Sequence, residues 1–300
     1  VRLLVTAVVA AAAIVIGRQA WARLHGSSAG EALDPAAFAT GSCVAYPPTQ
    51  GNRGATVFLD AGHGGIDPGG VGVTEQGTSI DEGTETLPVE LDAMAQLRAD
   101  GYRVVVSRTT DSTVVRLGPA DVDGNLLTLQ GAHDDVAARD QCADDAKADA
   151  MVGIYYNAGS PQEAGSITAY DPDRPFSASN IRLAHLVQSD VVSRMNAQGW
   201  DIPDNGAQPD GGLGSLDGSP ASGGLAAEAA AYNHLMLIGP AMPGFFSTPS
   251  LMPGVIIEPL YITDPFEGSI ADSTTGQTVI AQGIATAVEQ FLSSRSPSGG

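Results

Sequence analysis

The chain is short of positive charge. Fourteen lysines and arginines stand against 34 aspartates and glutamates in 300 residues, Lys147 is the sole lysine, and the formal net charge is -20. Binding to a nucleic-acid backbone or an anionic membrane surface draws on clustered cationic side chains and counterion release, so this balance excludes nucleic acid as a partner. Cysteine is also scarce. Cys43 and Cys142 are the two present, and no CxxC or Cys/His finger occurs, which excludes a structural zinc cluster of the cysteine-ligated kind. The HExxH helix of the zincins is missing. The glycine-rich stretch 62–70 lacks the GK[ST] ending of a phosphate-binding loop.

Long apolar runs are limited to one, LLVTAVVAAAAIVIG at 3–17, behind Arg2 and closed by Arg18. Its fifteen residues, at about 1.5 Å each, fall short of the ~30 Å hydrocarbon core, the shape of a signal peptide or short signal anchor. The expectation is export to the cell envelope, secreted or held at the membrane by residues 3–17. An oxidising compartment then leaves two states open for Cys43 and Cys142, a disulfide or two free thiols. Residues 27–54, with Gly, Ser, Ala and the Pro47–Pro48 pair but no hydrophobic periodicity, read as a linker. The division is therefore 1–26 export segment, 27–54 linker and 55–296 catalytic domain.

Within the domain, apolar strands alternate with amphipathic segments: TVFLD at 56–60, a helix near 86–99, RVVVS at 103–107, a helix near 133–147, MVGIYY at 151–156, a helix near 179–197, VIIEP at 255–259 and a closing helix near 276–293. This order predicts a single α/β domain, a mostly parallel twisted sheet flanked by helices on both faces. Residues 199–224, rich in Gly, Pro, Asp and Ser, read as a long loop over a binding groove or an insertion.

In open parallel sheets, ligands gather beyond the carboxyl ends of the strands. The sequence puts His63 after TVFLD, Tyr155 and Asn157 after MVGI, and Glu258 at the end of VIIE. Glycines 62, 64 and 65 leave little bulk around the His63 imidazole, which suits a metal ligand or a general base. Asp60 and Asp67 flank it, and Asp60 is a candidate acceptor to orient the ring. Arg108, closing VVSR, either faces a substrate carboxylate or pairs with Asp111.

VFLDAGHGGIDPGG at 57–70, GYRVVVSRTTD at 101–111, ADAMVGIYYNAG at 148–159 and MPGVIIEPLYITDP at 252–265 together resemble the zinc-dependent N-acetylmuramoyl-L-alanine amidases of the Amidase_3 type, from about Thr56 to Phe291. The resemblance implies Zn²⁺ held by two histidines and a glutamate, with a second, late glutamate as catalytic base. The implied substrate is peptidoglycan, cut at the amide between N-acetylmuramic acid and L-alanine of the stem peptide. His63 matches the first histidine and Glu258 the late glutamate. The family's placement of its metal-ligating glutamate ahead of the first helix leucine and the GY glycine, carried onto Leu87 and Gly101, implies Glu82. Glu85 competes, because Pro88 suits only a first helical turn and would set Glu85 just outside the helix.

The chain departs from the family at the second histidine, where GIYYNA places Tyr155. Three readings follow. Tyr155 ligates as a phenolate; another residue, His133 or Asn157, fills in; or the site binds peptidoglycan without cutting it, as a wall-binding or regulatory protein would. His133 also reads as an ordinary helix-start residue, and His185 and His234 as surface or core histidines without ligand-spaced partners.

Overall fold

The computed structural model describes residues 30–213 and 225–294. The segment expected to direct export lies outside the described residues, and among those described no helix is long and apolar enough to cross a membrane. One eight-stranded sheet organises the chain. In chain order its strands are β1 (Glu31–Ala32), β2 (Ser42–Tyr46), β3 (Thr56–Ala61), β6 (Arg103–Arg108), β9 (Ala150–Ile154), β10 (Ser166–Tyr170), β11 (Asp204–Pro209) and β12 (Gly254–Glu258). Side by side they run β1-β2-β6-β3-β9-β12-β10-β11. Two ribbons lie outside it, β4 (Val71–Val73) with β5 (Ser79–Asp81) and β7 (Val122–Asp123) with β8 (Leu126–Leu127).

The four central strands β6, β3, β9 and β12 are parallel, with antiparallel β2 and β10 on their two sides. Successive side chains along a strand face opposite ways, so each central strand supplies two cores. Val57, Leu59, Val104, Val106, Val152, Ile154, Val255 and Ile257 enter one. That face is covered by helices α1 (Glu82–Ala99), α3 (Ser177–Asn196) and α6 (Thr274–Ser293). Phe58, Val105, Met151 and Ile256 enter the other, under α2 (Leu129–Asp145) and the segment around Leu237. Two short helices, α4 (Ala226–Tyr232) and α5 (Pro265–Ala271), complete the described elements. The expected class, a mostly parallel sheet with helices on both faces, is the one observed.

Several boundaries differ from the sequence reading, each for a local reason. Part of the expected linker is sheet: β2 pairs antiparallel with β6, from Ser42 opposite Arg108 to Tyr46 opposite Val104. That pairing is long-range, and five residues without clear alternation carry no sign of it. Helix α1 begins at Glu82 because the Asp81 side chain accepts from the Thr84 N–H and caps it. Pro88 thus sits inside the helix rather than in its first turn. Helix α2 begins at Leu129, capped by Thr128, which puts His133 in its second turn. Strand β11 occupies part of the stretch expected as a loop, paired parallel with β10.

Cys43 and Cys142 form a disulfide that ties β2 to α2 across 99 residues of sequence. Closing so long a loop restricts the unfolded chain strongly. Replacing both cysteines by serine is expected to lower unfolding free energy by about 3–5 kcal/mol in denaturant titration, with a similar loss when the wild type is reduced.

Glu90, on the face of α1 toward the sheet, is fully buried. Its Oε1 accepts from Ala61 N, Ser107 N and Ser107 Oγ, while Oε2 has no partner. Burial pushes its carboxyl from 4.5 up to about 8, with Arg108 opposing and Asp60 adding. A carboxyl raised in the folded state favours folding fully below its unfolded value, and that contribution is lost as pH rises toward the folded one. Stability should therefore fall between about pH 4.5 and 8, and Glu90→Gln should flatten part of that slope in thermal melts across the range.

Candidate active-site cleft

A cleft of about 750 Å³ opens at the carboxyl ends of the central strands, with His63, Asp67, Glu82, Tyr155, Asn157 and Glu258 on its floor. Its upper wall is apolar and includes Leu126, Leu127, Val136, Leu235 and Met236.

His63 follows β3 in a left-handed conformation, φ 55°, a strained setting for a residue with a Cβ. Two buried arginines hold the turn by its carbonyls. Arg139, from α2, donates to Ala61 O at 2.7 Å and His63 O at 2.8 Å. Arg108 donates to Ala61 O at 3.1 Å and Gly62 O at 3.2 Å, and also to Gly83 O and the Thr86 hydroxyl. Arg108 is wholly buried in this role, its donors taken by protein oxygens, which corrects the expectation that it faces a substrate carboxylate.

The ring of His63 is oriented by Asp67: Nδ1 donates to Oδ2 at 2.9 Å. Asp60, the residue expected to orient it, is engaged elsewhere, its Oδ1 2.6 Å from Arg139 and its Oδ2 accepting from the Tyr155 hydroxyl at 3.1 Å. With Nδ1 taken, Nε2 is left toward Glu82, 3.4 Å from Oε1. Burial alone would lower the imidazole pKa, but the Glu82 and Asp67 carboxylates outweigh it and hold the group well above its ordinary value.

Glu82, at the first position of α1, is fixed by backbone: Oε1 accepts from Tyr156 N at 2.8 Å and Oε2 from Gly70 N at 2.9 Å. The approach is close enough that a Cβ on Gly69, itself at φ 64°, would stand 2.6–2.7 Å from the His63 ring and Glu82 Oε2. Glu85 points away and accepts from Gln277 Nε2 at 3.0 Å. Of the two competing glutamates, Glu82 is the one beside His63. Glu258, ending β12, lines the same cleft; burial and the neighbouring Glu82 push it up to about 7, with His63 partly opposing.

Tyr155 follows β9, and its ring lies edge-on to His63 with centroids 5.3 Å apart. It packs so tightly over Gly62 that a Cβ there would come within 2.5 Å. Its hydroxyl proton is given to Asp60, and burial together with Asp60 drives the phenol well above its usual pKa. In this position its hydroxyl is a donor turned toward the Asp60–Arg139 pair. His133 is no substitute: its Nε2 lies 2.7 Å from Phe245 O and its Nδ1 2.9 Å from Asp134, and it does not line the cleft. Asn157 does line it. His185 is exposed, as expected. His234 is not a lone histidine, since its Nδ1 lies 3.2 Å from Asp171 and 3.3 Å from Asp210.

Sequence reasoning missed Arg139 and Asp135. Arg139 is buried between two carboxylates, Asp60 at 2.6 Å and Asp135 at 2.8 Å, the second one helical turn before it. Asp135 Oδ1 in turn accepts from Val114 N and Val115 N at 2.6 and 2.9 Å. The i,i+4 Asp–Arg spacing was the available signal, but such pairs usually lie on solvated helix faces.

The architecture and cleft define an α/β protein that sets a histidine and two glutamates beyond the carboxyl ends of parallel strands. The chain belongs to the N-acetylmuramoyl-L-alanine amidase family Amidase_3, whose model matches residues 57–290. It is similar to the CwlD amidase from Clostridioides difficile, solved in complex with the GerS lipoprotein, at TM-score 0.58 and 19% identity, covering 80% of this chain and 98% of that one. It is also similar to the amidase AmiC2 of Nostoc punctiforme, at TM-score 0.53 and 22% identity, covering 81% and 99%. A curated relative, the Bacillus subtilis protein YqiI, is 30% identical over 146 residues, which span 49% of this chain and 58% of that protein.

Removing one member of a buried ion network leaves its partners uncompensated. Arg139→Met is expected to lower stability by roughly 3–5 kcal/mol, read by denaturant unfolding.

Proposed function

We propose that this protein hydrolyses the amide between N-acetylmuramic acid and L-alanine of peptidoglycan stem peptides, at the cell envelope. The observation that carries the reading is the convergence of His63, Glu82 and Glu258 on one cleft in a chain of the amidase family.

The donors suit a zinc-type ion at two positions. A tetrahedral centre with bonds of about 2.0–2.2 Å has ligand–ligand edges of about 3.3–3.6 Å, and His63 Nε2 stands 3.4 Å from Glu82 Oε1. His63 and Glu82 would hold Zn²⁺. Tyr155, which stands where the family has its second histidine, donates its hydroxyl proton to Asp60 and packs over Gly62, so we assign it as a positioning residue. Bound there, zinc would polarise the scissile carbonyl and ease ionisation of water. Glu258 takes the proton of the attacking water and returns it to the leaving amine; a carboxyl lifted by burial is suited to both halves of that transfer. Asp67 keeps the imidazole in the tautomer that presents Nε2. The apolar wall excludes water from one side of the substrate.

A second reading, a wall-binding protein without hydrolytic activity, is favoured by one observation, the commitment of Tyr155 to Asp60. Digestion of purified sacculi separates the two. The amidase reading expects soluble stem peptides with new L-alanine amino termini, a loss of about 10²–10⁴-fold in Glu258→Gln, and tighter zinc retention with faster release in Tyr155→His. Sacculi that are bound but release no peptide, with wild type or with Tyr155→His, would overturn it.

A further inference from the structure

Away from the catalytic cleft, three side chains meet where β10 and β11 end and the segment after α4 crosses them. Asp171 follows β10, Asp210 follows β11, and His234 lies two residues past α4. One ligand atom from each falls within 4.8 Å of the others. Asp171 and Asp210 are completely buried, while His234 is partly open to solvent.

The hydrogen bonding here is incomplete. Asp210 Oδ2 accepts from Leu235 N at 3.0 Å, and Asp171 Oδ1 accepts from Asp173 N at 2.6 Å. The other oxygen of each carboxylate faces the same nitrogen, His234 Nδ1, at 3.3 Å from Asp210 and 3.2 Å from Asp171. One N–H serves Asp210, leaving Asp171 Oδ2 buried without a hydrogen bond. Arg174, the guanidinium felt by Asp171, spends its donors on Ile238 O, Gly239 O and Ser250 instead. Asp140, also buried with neither oxygen hydrogen-bonded, lies near Arg174 and Tyr232, and burial holds its carboxyl well above the ordinary range. Two buried carboxylates sharing one nitrogen, one of them with an orphaned oxygen aimed at it, form an environment that a dication would satisfy.

We propose that Asp171, Asp210 and His234 form a structural site for a zinc-type divalent cation that clasps β10 and β11 to the wall of the cleft. The nitrogen–oxygen separations of 3.2 and 3.3 Å lie near the edge of a tetrahedron built on bonds of about 2.0–2.1 Å. Two carboxylates and an imidazole suit zinc or a neighbouring first-row ion over calcium, which prefers six to eight oxygens. Two carboxylates also neutralise a 2+ charge, and the solvent-facing side of His234 leaves a fourth position for water. The consequence reaches the cleft: Leu235, bonded to Asp210 through its N–H, lines that cleft with Met236 and Leu237. Gly212 N, just past Asp210, also bonds Asn233 O at 3.3 Å.

This inference stands independently of the amidase reading, and its test is run with His63 removed. Chelator-stripped full-length His63→Ala is titrated with zinc and separately with cobalt(II), reading bound metal, melting temperature and visible ligand-field absorption. The expected result is one equivalent bound, a tetrahedral cobalt spectrum, and a melting temperature raised by roughly 5–10 °C at a hundredfold excess over Kd. Adding His234→Ala or the isosteric Asp171→Asn should abolish all three; either variant suffices if circular dichroism shows that the other has not folded. No zinc bound by His63→Ala, or undiminished binding after the second substitution, would overturn the proposal. Should the cleft itself hold no zinc, wild type and His63→Ala would bind the same single equivalent, so the two readings fail separately.

Discussion

The buried guanidinium of Arg139 is the constraint on which the rest of the cleft depends. Its charge is matched by Asp60 on β3 and Asp135 on its own helix, and its remaining donors hold the carbonyls of Ala61 and His63. Those carbonyls frame a turn in which a histidine adopts a left-handed backbone, a conformation that persists only where surrounding bonds over-determine it. Arg108 secures the same turn from the other side and adds Gly83 at the start of α1, so the first turn of that helix and the histidine turn are one unit. The separation of His63 and Glu82 follows from that bracing.

The same network explains how Tyr155 is accommodated. A buried Asp60 carboxylate paired with one arginine still has an oxygen to satisfy, and the tyrosine hydroxyl supplies the donor. Gly62 makes room for the ring. Tyrosine is thus well suited to the floor of this cleft on structural grounds alone, whatever it does for a metal. Under the proposed function His63 and Glu82 would hold the metal, and Glu258, lining the same cleft, has a carboxyl raised toward neutrality.

The acidic excess of the chain is partly a surface property and partly an interior one. Asp60, Glu82, Glu90, Asp135, Asp140, Asp171 and Asp210 are all buried. Some of these carboxylates are neutralised by arginine, some by backbone N–H groups, and Glu90, Asp140 and Asp171 retain unbonded oxygens. Buried acids without partners destabilise the fold as pH rises unless they are protonated or meet a cation. At the end of β10 and β11 the unmatched carboxylate oxygen faces a histidine, whereas His63, Glu82 and Arg139 in the cleft have their partners.

By itself the sequence determined the α/β class, the four central strands, and the placing of His63 and Glu258 at strand ends. Continuous valine and isoleucine runs between amphipathic segments admit few other folds. A glycine-flanked histidine is a local signal, legible without neighbours. What only the tertiary structure decided are relations between residues far apart in the chain: Glu82 over Glu85, Asp67 over Asp60 as the partner of His63, and β2 as part of the sheet. The Cys43–Cys142 bond, the Tyr155–Asp60 bond and the meeting of His234 with Asp171 and Asp210 belong with them. Periodicity and turn chemistry act over a few residues, whereas these choices depend on which helix face and strand end the packed core brings together, and no short window of sequence contains that information.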